Sequence, residues 1–451
     1  MSSAGAQHPA PELGDGPQPS GGLRSYFATA KRFSRNARLF LSYALMAQLG
    51  AGIWLVMFNL YLLRLGFSTN FVGLFIMVDM LFHGLVAFPA GLIADKIGRR
   101  RAFFIATCIN LAARGALLFT QDPAMLLVLA GVSGIGEAFH GVAGPPFIME
   151  NSEPEERPLL FSLNWMFLLL SRSVGSTLPL VWAVTLGVPD LDIGSARWIL
   201  VASLPLTLAA LAPLAFMVEK RPVLVQSFLD LLALKNVVNF SNIAKLTLGG
   251  LVVGMGFGLA TRFFNVFFDL ALGASDRQIS AIFAVGALAG ATSILFSGMF
   301  VRKWGKTRSI VVTQLASAPF LMLMVLVPAF VPGLPIVVVF LLLRDACYSI
   351  SMPARDQLAM ELTVAQERGT AAGMTHMSFD LGGAFGAGIS GTLIGVSAAE
   401  AGQGLVDIGQ FVPAFVVAAL LVVGAAVLYH LFFQGKEAQV MHPTVAALEA
   451  D

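Results

Sequence analysis

Charge is what this 451-residue sequence has least of: Asp, Glu, Lys and Arg make up 12% of it, about half the roughly 25% of a soluble domain. With 57% hydrophobic residues and a mean hydropathy of +0.80, the chain lacks the polar surface that a water-soluble globule needs, and a lipid bilayer is the solvent its composition fits. Cysteine is almost missing. Cys108 and Cys347 both fall inside long apolar runs, without metal-ligand or disulfide spacing, and read as small apolar residues. A net charge of +2 leaves no basic footprint for nucleic acid. Tyr and Trp number five each against 36 Phe, so the aromatic load reads as packing and lipid contact. Neither a Gly-x4-Gly-Lys-Ser/Thr phosphate loop nor a His-Glu-x2-His pair occurs, which argues against nucleotide-driven work and metalloenzyme chemistry. No cofactor, metal or enzymatic activity is expected.

Long apolar runs are abundant instead. A helix needs about 20 apolar residues to cross the hydrocarbon, and twelve such spans fall near 39–63, 71–93, 102–120, 124–148, 159–186, 197–217, 246–269, 278–300, 309–331, 334–353, 369–396 and 410–434. Residues 1–38 and 435–451 read as tails, the first one disordered and without an apolar core of signal-peptide length. Residues 218–245 read as a linker, with an amphipathic surface helix suggested by Val223, Leu224, Phe228, Leu231, Leu232 and Leu234. One set of alternate loops plus the tails holds 21 of the 28 Lys and Arg, against Arg64, Arg197 and Arg277 on the other side. The positive-inside rule therefore puts both termini in the cytoplasm. The few cysteines and the absence of a targeting segment suit a bacterial inner membrane.

The densest charge between two spans is Gly91-x3-Asp95-x2-Gly98-Arg99-Arg100. Its frame recurs as Gly298-x3-Arg302-x2-Gly305-Lys306, at a constant offset of 207 residues, and Glu150-x5-Glu156-Arg157 is echoed by Glu361-x5-Glu367-Arg368. The chain is thus two related halves, 39–217 and 246–434, an arrangement that in a polytopic membrane protein points to a secondary transporter with its site between the halves.

These residues resemble the signature loop of the major facilitator superfamily. The resemblance implies an all-α membrane protein with two pseudo-symmetric six-helix bundles, working by alternating access. It also implies a charge relay of Asp95, Arg99 and Arg100 that steadies the outward-open state. Arg302 stands where the first copy has Asp95, so one half carries the full motif. Ala130 occupies the position where proton-coupled members often have an arginine, and Gly175 to Pro179 matches the antiporter motif poorly.

Ionisable groups within spans are costly and mark function or structural pairing. Asp79 and His83 on the second span, and His376 and Asp380 on the eleventh, are both spaced i,i+4 and share a helix face. In the family's fold these spans face each other, so the pairs can meet, either to carry a proton or to hold the halves in register. Glu137 and His140 on the fourth span are further candidates for substrate or proton, with Arg172 of the fifth as a partner for Glu137. By family analogy the seventh and tenth spans line the cavity with Arg262, Asn265, Asp269, Arg344, Asp345 and Tyr348; Arg344 and Asp345 can equally neutralise each other. Arg114 reads as structural, and Gln48, Asn59 and Tyr61 as cavity lining or interhelical bonds.

The expected function is secondary transport of a small organic molecule, with proton-coupled export ahead of uptake symport or uniport. A transporter-like sensor is the rival from another class. The bilayer, the substrate and a proton are the expected partners, and the expected state is a monomer.

Overall fold

A computed structural model describes residues 32–153, 156–219, 240–331, 333–362, 368–403 and 405–435. All regular structure among them is helical. The first half comprises α1 (Arg35–Arg64), α2 (Thr69–Ile97), α3 (Arg99–Leu117), α4 (Pro123–Glu150), α5 (Arg157–Leu186) and α6 (Ile193–Ala209, resuming as Leu211–Phe216). The second comprises α7 (Phe240–Ala260, continued by irregular turns to Ala271), α8 (Asp276–Trp304), α9 (Lys306–Leu326), α10 (Leu334–Glu361), α11 (Arg368–Ile394) and α12 (Val412–Phe433). Among the described residues, ten segments are long and apolar enough to cross a membrane. The fold is that of a twelve-helix membrane protein in two six-helix bundles.

Helix starts follow local chemistry. Ser34, Ser68 and Asp122 each accept a hydrogen bond from the third amide onward, at Ala37, Phe71 and Met125, which satisfies donors that a first turn leaves open. Ser275 and Gln278 form a reciprocal capping box at α8. The first cap places the start of α1 at Arg35, before the expected residue 39, and α7 begins at Phe240 where residue 246 was expected. The rest of the linker and the tails lies outside the described residues.

The internal repeat is visible in the backbone. Gly98 (φ 98°) separates α2 from α3, Gly305 (φ 79°) separates α8 from α9, and each donates its amide at 2.9 Å to the carbonyl four residues earlier, Ala94 or Val301. Positive φ is the reason glycine stands at both places.

Across the halves, α2 packs along α11 and α5 along α8, while within them α1 packs on α5 and α6, and α7 on α11 and α12. A Cβ on Gly73 would come within 2.7 Å of the Ala387 carbonyl and 2.9 Å of the Gly391 Cα, so α2 and α11 meet backbone to backbone. At one end of the bundle, the start of α1 and the ends of α4 and α6 converge: Ser34 Oγ donates to the Asn151 carbonyl (2.7 Å) and Asn36 Nδ2 to that of Val218 (2.8 Å). This end also carries Arg99, Arg100, Arg101, Arg302 and Lys303 and is called the basic end below. Leu85, Val128, Val174, Leu295 and Leu420 are exposed on the helices, as lipid-facing side chains would be.

Candidate functional site

At the far end an ion pair joins the two halves. Arg64, in the last turn of α1, donates from Nη1 and Nη2 to Asp276 at 2.8 and 2.7 Å, and Asp276 Oδ2 also accepts from the Leu191 amide at 2.7 Å. Asp276 opens α8, so this contact joins the two halves. The Asp276 side chain is fully buried and the Arg64 side chain 20% exposed, a planar bidentate pairing of the strong kind. Asp269, expected in the cavity, lies at this contact instead: the charge acting on it most strongly is that of Arg64, followed by Asp276 and Asp190. Asp269 stands in the last turn of the seventh span, which ends beside this contact.

Just inside this contact α7 changes its winding without leaving the helical path. After Ala260 the chain takes a 3-10 turn over Thr261–Phe263 and a π-turn over Phe267–Ala271. Asn59 of α1 covers this stretch, donating to the Arg262 carbonyl (2.9 Å) and the Asn265 side chain (3.1 Å), and Asn265 donates back to the Val56 carbonyl (2.9 Å). Asn265 is therefore a buried interhelical bond. Tyr61 Oη is buried without a partner among the described residues.

The paired residues of α2 and α11 meet. His83 Nδ1 stands 3.6 Å from Asp380 Oδ2. Asp79 lies one turn earlier, and the charge acting on it most strongly is that of Arg262. His376 is exposed one turn before Asp380, within electrostatic reach of it and of Asp356. Asp356 of α10 accepts from Trp165 Nε1 of α5 at 3.3 Å, a cross-half contact that no sequence pattern announced.

Glu137 does not pair with Arg172. Its Oε1 accepts from Arg114 Nη2 at 2.8 Å, because α4 packs on α3 more closely than on α5. Arg114 also stacks on Trp54, 5.5 Å from the ring centroid. One turn on, His140 Nδ1 lies 2.9 Å from Tyr43 Oη, which reaches Thr107 Oγ1 at 3.3 Å. Arg172 Nε donates to Gln48 Oε1 at 3.2 Å. In the second half Arg344 pairs with Asp345 (2.8 Å), donates to Thr261 Oγ1 (2.7 Å) and stacks on Phe264 and Tyr348. Arg344 and Asp345 thus neutralise each other.

At the basic end, Arg99 Nε is 3.5 Å from Glu150 Oε1, and Arg100 donates from Nη2 to the Ala215 carbonyl (3.2 Å) and from its amide to Glu219 (3.1 Å). Glu219 was missed from sequence; burial raises its pKa against the lowering effect of the Arg100 amide. The Asp95 side chain lies outside the described residues. A Cβ on Gly91 would touch only Val142, one on Gly298 would meet open space, and Arg302 is exposed in the last turn of α8.

Twelve helices, a glycine-hinged charged turn repeated in each half and polar groups gathered between the halves are on view, and the family model of the Major Facilitator Superfamily matches residues 39–387 and 246–447. The chain belongs to that superfamily. It is a membrane transporter and not an enzyme. Its fold is similar to that of the human organic anion transporter MFSD10 (TETRAN), at 15% identity and a TM-score of 0.64, covering 88% of this chain and 99% of the other. A bacterial homolog of the human lysosomal transporter Spinster, solved inward-facing and unoccupied, matches at 14% identity and a TM-score of 0.67, covering 93% and 98%. The nucleoside transporter NupG matches at 16% identity and a TM-score of 0.63, covering 88% and 99%. A comparison with curated proteins gives no match.

Proposed function

We propose that the chain moves a small organic molecule across a bacterial inner membrane by alternating access, coupled to protons and in the direction of export, with both termini cytoplasmic. The observation that carries the coupling is the 3.6 Å contact of His83 with Asp380 across the halves. A carboxylate and an imidazole in contact at a moving seam can exchange a proton as the seam opens to either side. On this reading the basic end is cytoplasmic, as its Lys and Arg favour, and the Arg64–Asp276 pair closes the outer side. The state is then inward-facing, like the Spinster homolog of similar fold. The turns at Gly98 and Gly305 act as the cytoplasmic gate, with Asp95, Arg99 and Arg100 forming the latch when that side closes.

The test is substrate-driven pH change in proteoliposomes for the unaltered chain, Asp79→Asn, Glu137→Gln and Asp380→Asn. Proton movement that Asp380→Asn abolishes supports the reading. Substrate flux with no proton movement in any protein would reduce the α2–α11 pair to a structural contact and leave a uniporter.

A further inference from the structure

His140 of α4 ends a hydrogen-bond chain that lies wholly within the first half. Its Nδ1 is 2.9 Å from Tyr43 Oη of α1, and Tyr43 Oη is 3.3 Å from Thr107 Oγ1 of α3. Thr107 donates its own proton to the Phe103 carbonyl at 2.8 Å, so towards Tyr43 it can only accept. Tyr43 has one proton to give and two acceptors in reach. The shorter contact is the one a neutral His140 makes, with Tyr43 donating to Nδ1 and the ring proton on Nε2. A second proton on the ring reverses the chain with no new partner. Nδ1–H then donates to Tyr43 Oη, and the Tyr43 hydroxyl turns its intact O–H bond to Thr107 Oγ1. One proton is gained from water and none is lost.

The surroundings give this chain one open side. Tyr43 and Thr107 are 1% and 4% exposed, and towards the basic end Phe40, Phe103 and Phe147 seal them off, with ring centroids 5.3 to 5.6 Å apart. Away from that end lies a cavity of about 20 Å³ whose lining includes Tyr43, Gln48, Asn110, Glu137 and His140. It is roomy enough for one water. Asn110 Oδ1 is shielded from solvent with no hydrogen-bond partner among the described residues, an acceptor that a water in this cavity can satisfy. Glu137, one turn before His140 on the same face, is paired with Arg114 of α3 at 2.8 Å and its side chain is 30% exposed. The other charged groups acting on the ring are His83 of α2 and Arg172 of α5. A Cβ on Gly141, the residue after His140, would stand 3.5 Å from His83 Nε2, and Arg172 Nε donates to Gln48 of the cavity wall at 3.2 Å. From α6 only the Thr207 hydroxyl reaches the cavity.

We infer that His140 is a proton-holding residue inside the first bundle, with Tyr43 and Thr107 as its switchable hydrogen-bond partners and the cavity beside Glu137 as its route to water. The site is distinct from the contact of His83 with Asp380. That contact joins the two halves and parts as they rock, whereas α1, α3 and α4 belong to one half and keep the Tyr43–His140 chain assembled. A proton held on His140 therefore travels with the first bundle.

The role of this site rests on the proton-coupled reading, and its test reads His140 apart from transport. The full chain with isotope-labelled histidine is placed in nanodiscs and followed by nuclear magnetic resonance from about pH 8 to about pH 5, with His140→Gln identifying the signal. The ring should be neutral with its proton on Nε2 at the alkaline end and doubly protonated at the acid end. Thr107→Val should weaken proton binding roughly 5-fold, the loss of one hydrogen bond that only the charged ring calls for. Thr107→Ser keeps the hydroxyl and should bind the proton as the unaltered chain does. In proteoliposomes His140→Gln should lower the number of protons moved per substrate. A ring that stays neutral throughout, a neutral ring with its proton on Nδ1, equal titration with Val and Ser at position 107, or an unchanged proton count in a coupled His140→Gln protein would overturn the site and leave the coupling standing. A ring that titrates as expected while substrate moves without protons would keep the site and overturn the coupling.

Discussion

Removing the charge of Asp276 tests whether one ion pair holds the far end shut. Asn is nearly isosteric and keeps an acceptor for the Leu191 amide, so the substitution isolates the bidentate contact with Arg64 at 2.7 and 2.8 Å. Breaking a fully buried pair costs roughly 3 to 5 kcal/mol. Because the Arg64 side chain is 20% exposed and finds water once released, about 2 kcal/mol is expected here, or about a 30-fold shift of the closed-to-open ratio at that end. Spin labels at Phe119 and Phe330, which are exposed at the far ends of α3 and α9, report the separation of the two halves by double electron–electron resonance in nanodiscs. Asp276→Asn should add a longer-distance population, Arg64→Gln should do the same, and the double variant should add little to either. A distance distribution unchanged in a folded Asp276→Asn protein would show that apolar packing, not this pair, closes the far end.

Three further outcomes are expected. Glu137→Gln and Arg114→Gln should each lower stability in detergent by about 2 kcal/mol, at the low side for a buried pair because the Glu137 side chain is 30% exposed. The double variant should cost less than their sum, whereas Glu137→Gln with Asp276→Asn, at the far end, should be additive; thermal unfolding distinguishes these. Gly391→Ala places a Cβ 2.7 Å from the Thr69 carbonyl and should destabilise by roughly 1 to 3 kcal/mol with loss of flux, while Gly424→Ala, which meets nothing within 4 Å, should leave both intact. Burial raises the Glu219 pKa above its ordinary 4.5, so the folded protein holds this proton more tightly than the unfolded one and loses stability as pH rises through that window. Unfolding curves across it should lose that component in Glu219→Gln and keep it in Glu153→Gln.

What the sequence made legible is what local chemistry and periodicity determine. The 207-residue repeat becomes two positive-φ glycines at equivalent helix junctions, and the i,i+4 spacing of Asp79 with His83 and of His376 with Asp380 sets the faces that let His83 reach Asp380 across the seam. Partner choice was not legible, because it depends on which helices touch. Glu137 shares a face with His140 that sequence can read, yet its cation is Arg114, since α4 lies on α3. Arg64 and Asp276 are 212 residues apart, each at a helix end where a charge needs no special explanation, and only the folded arrangement makes them one contact. Asp269 was expected in the cavity by family analogy, and the fold sets it at the end of the seventh span, beside Arg64, Asp276 and Asp190.

The same dependence on packing gives the arginines their meaning. In sequence, Arg114, Arg172, Arg262 and Arg344 all stand in apolar runs, with Glu137 read as a partner for Arg172 and Asp345 for Arg344. The fold places Glu137 and Asp345 on Arg114 and Arg344, each within its own half, and so withdraws two carboxylates from the space between the halves. His83 and Asp380 occupy each other across the seam. Among the described residues Arg172 and Arg262 have no carboxylate at ion-pair distance, so four arginines that look alike in apolar runs hold different positions once the helices are packed.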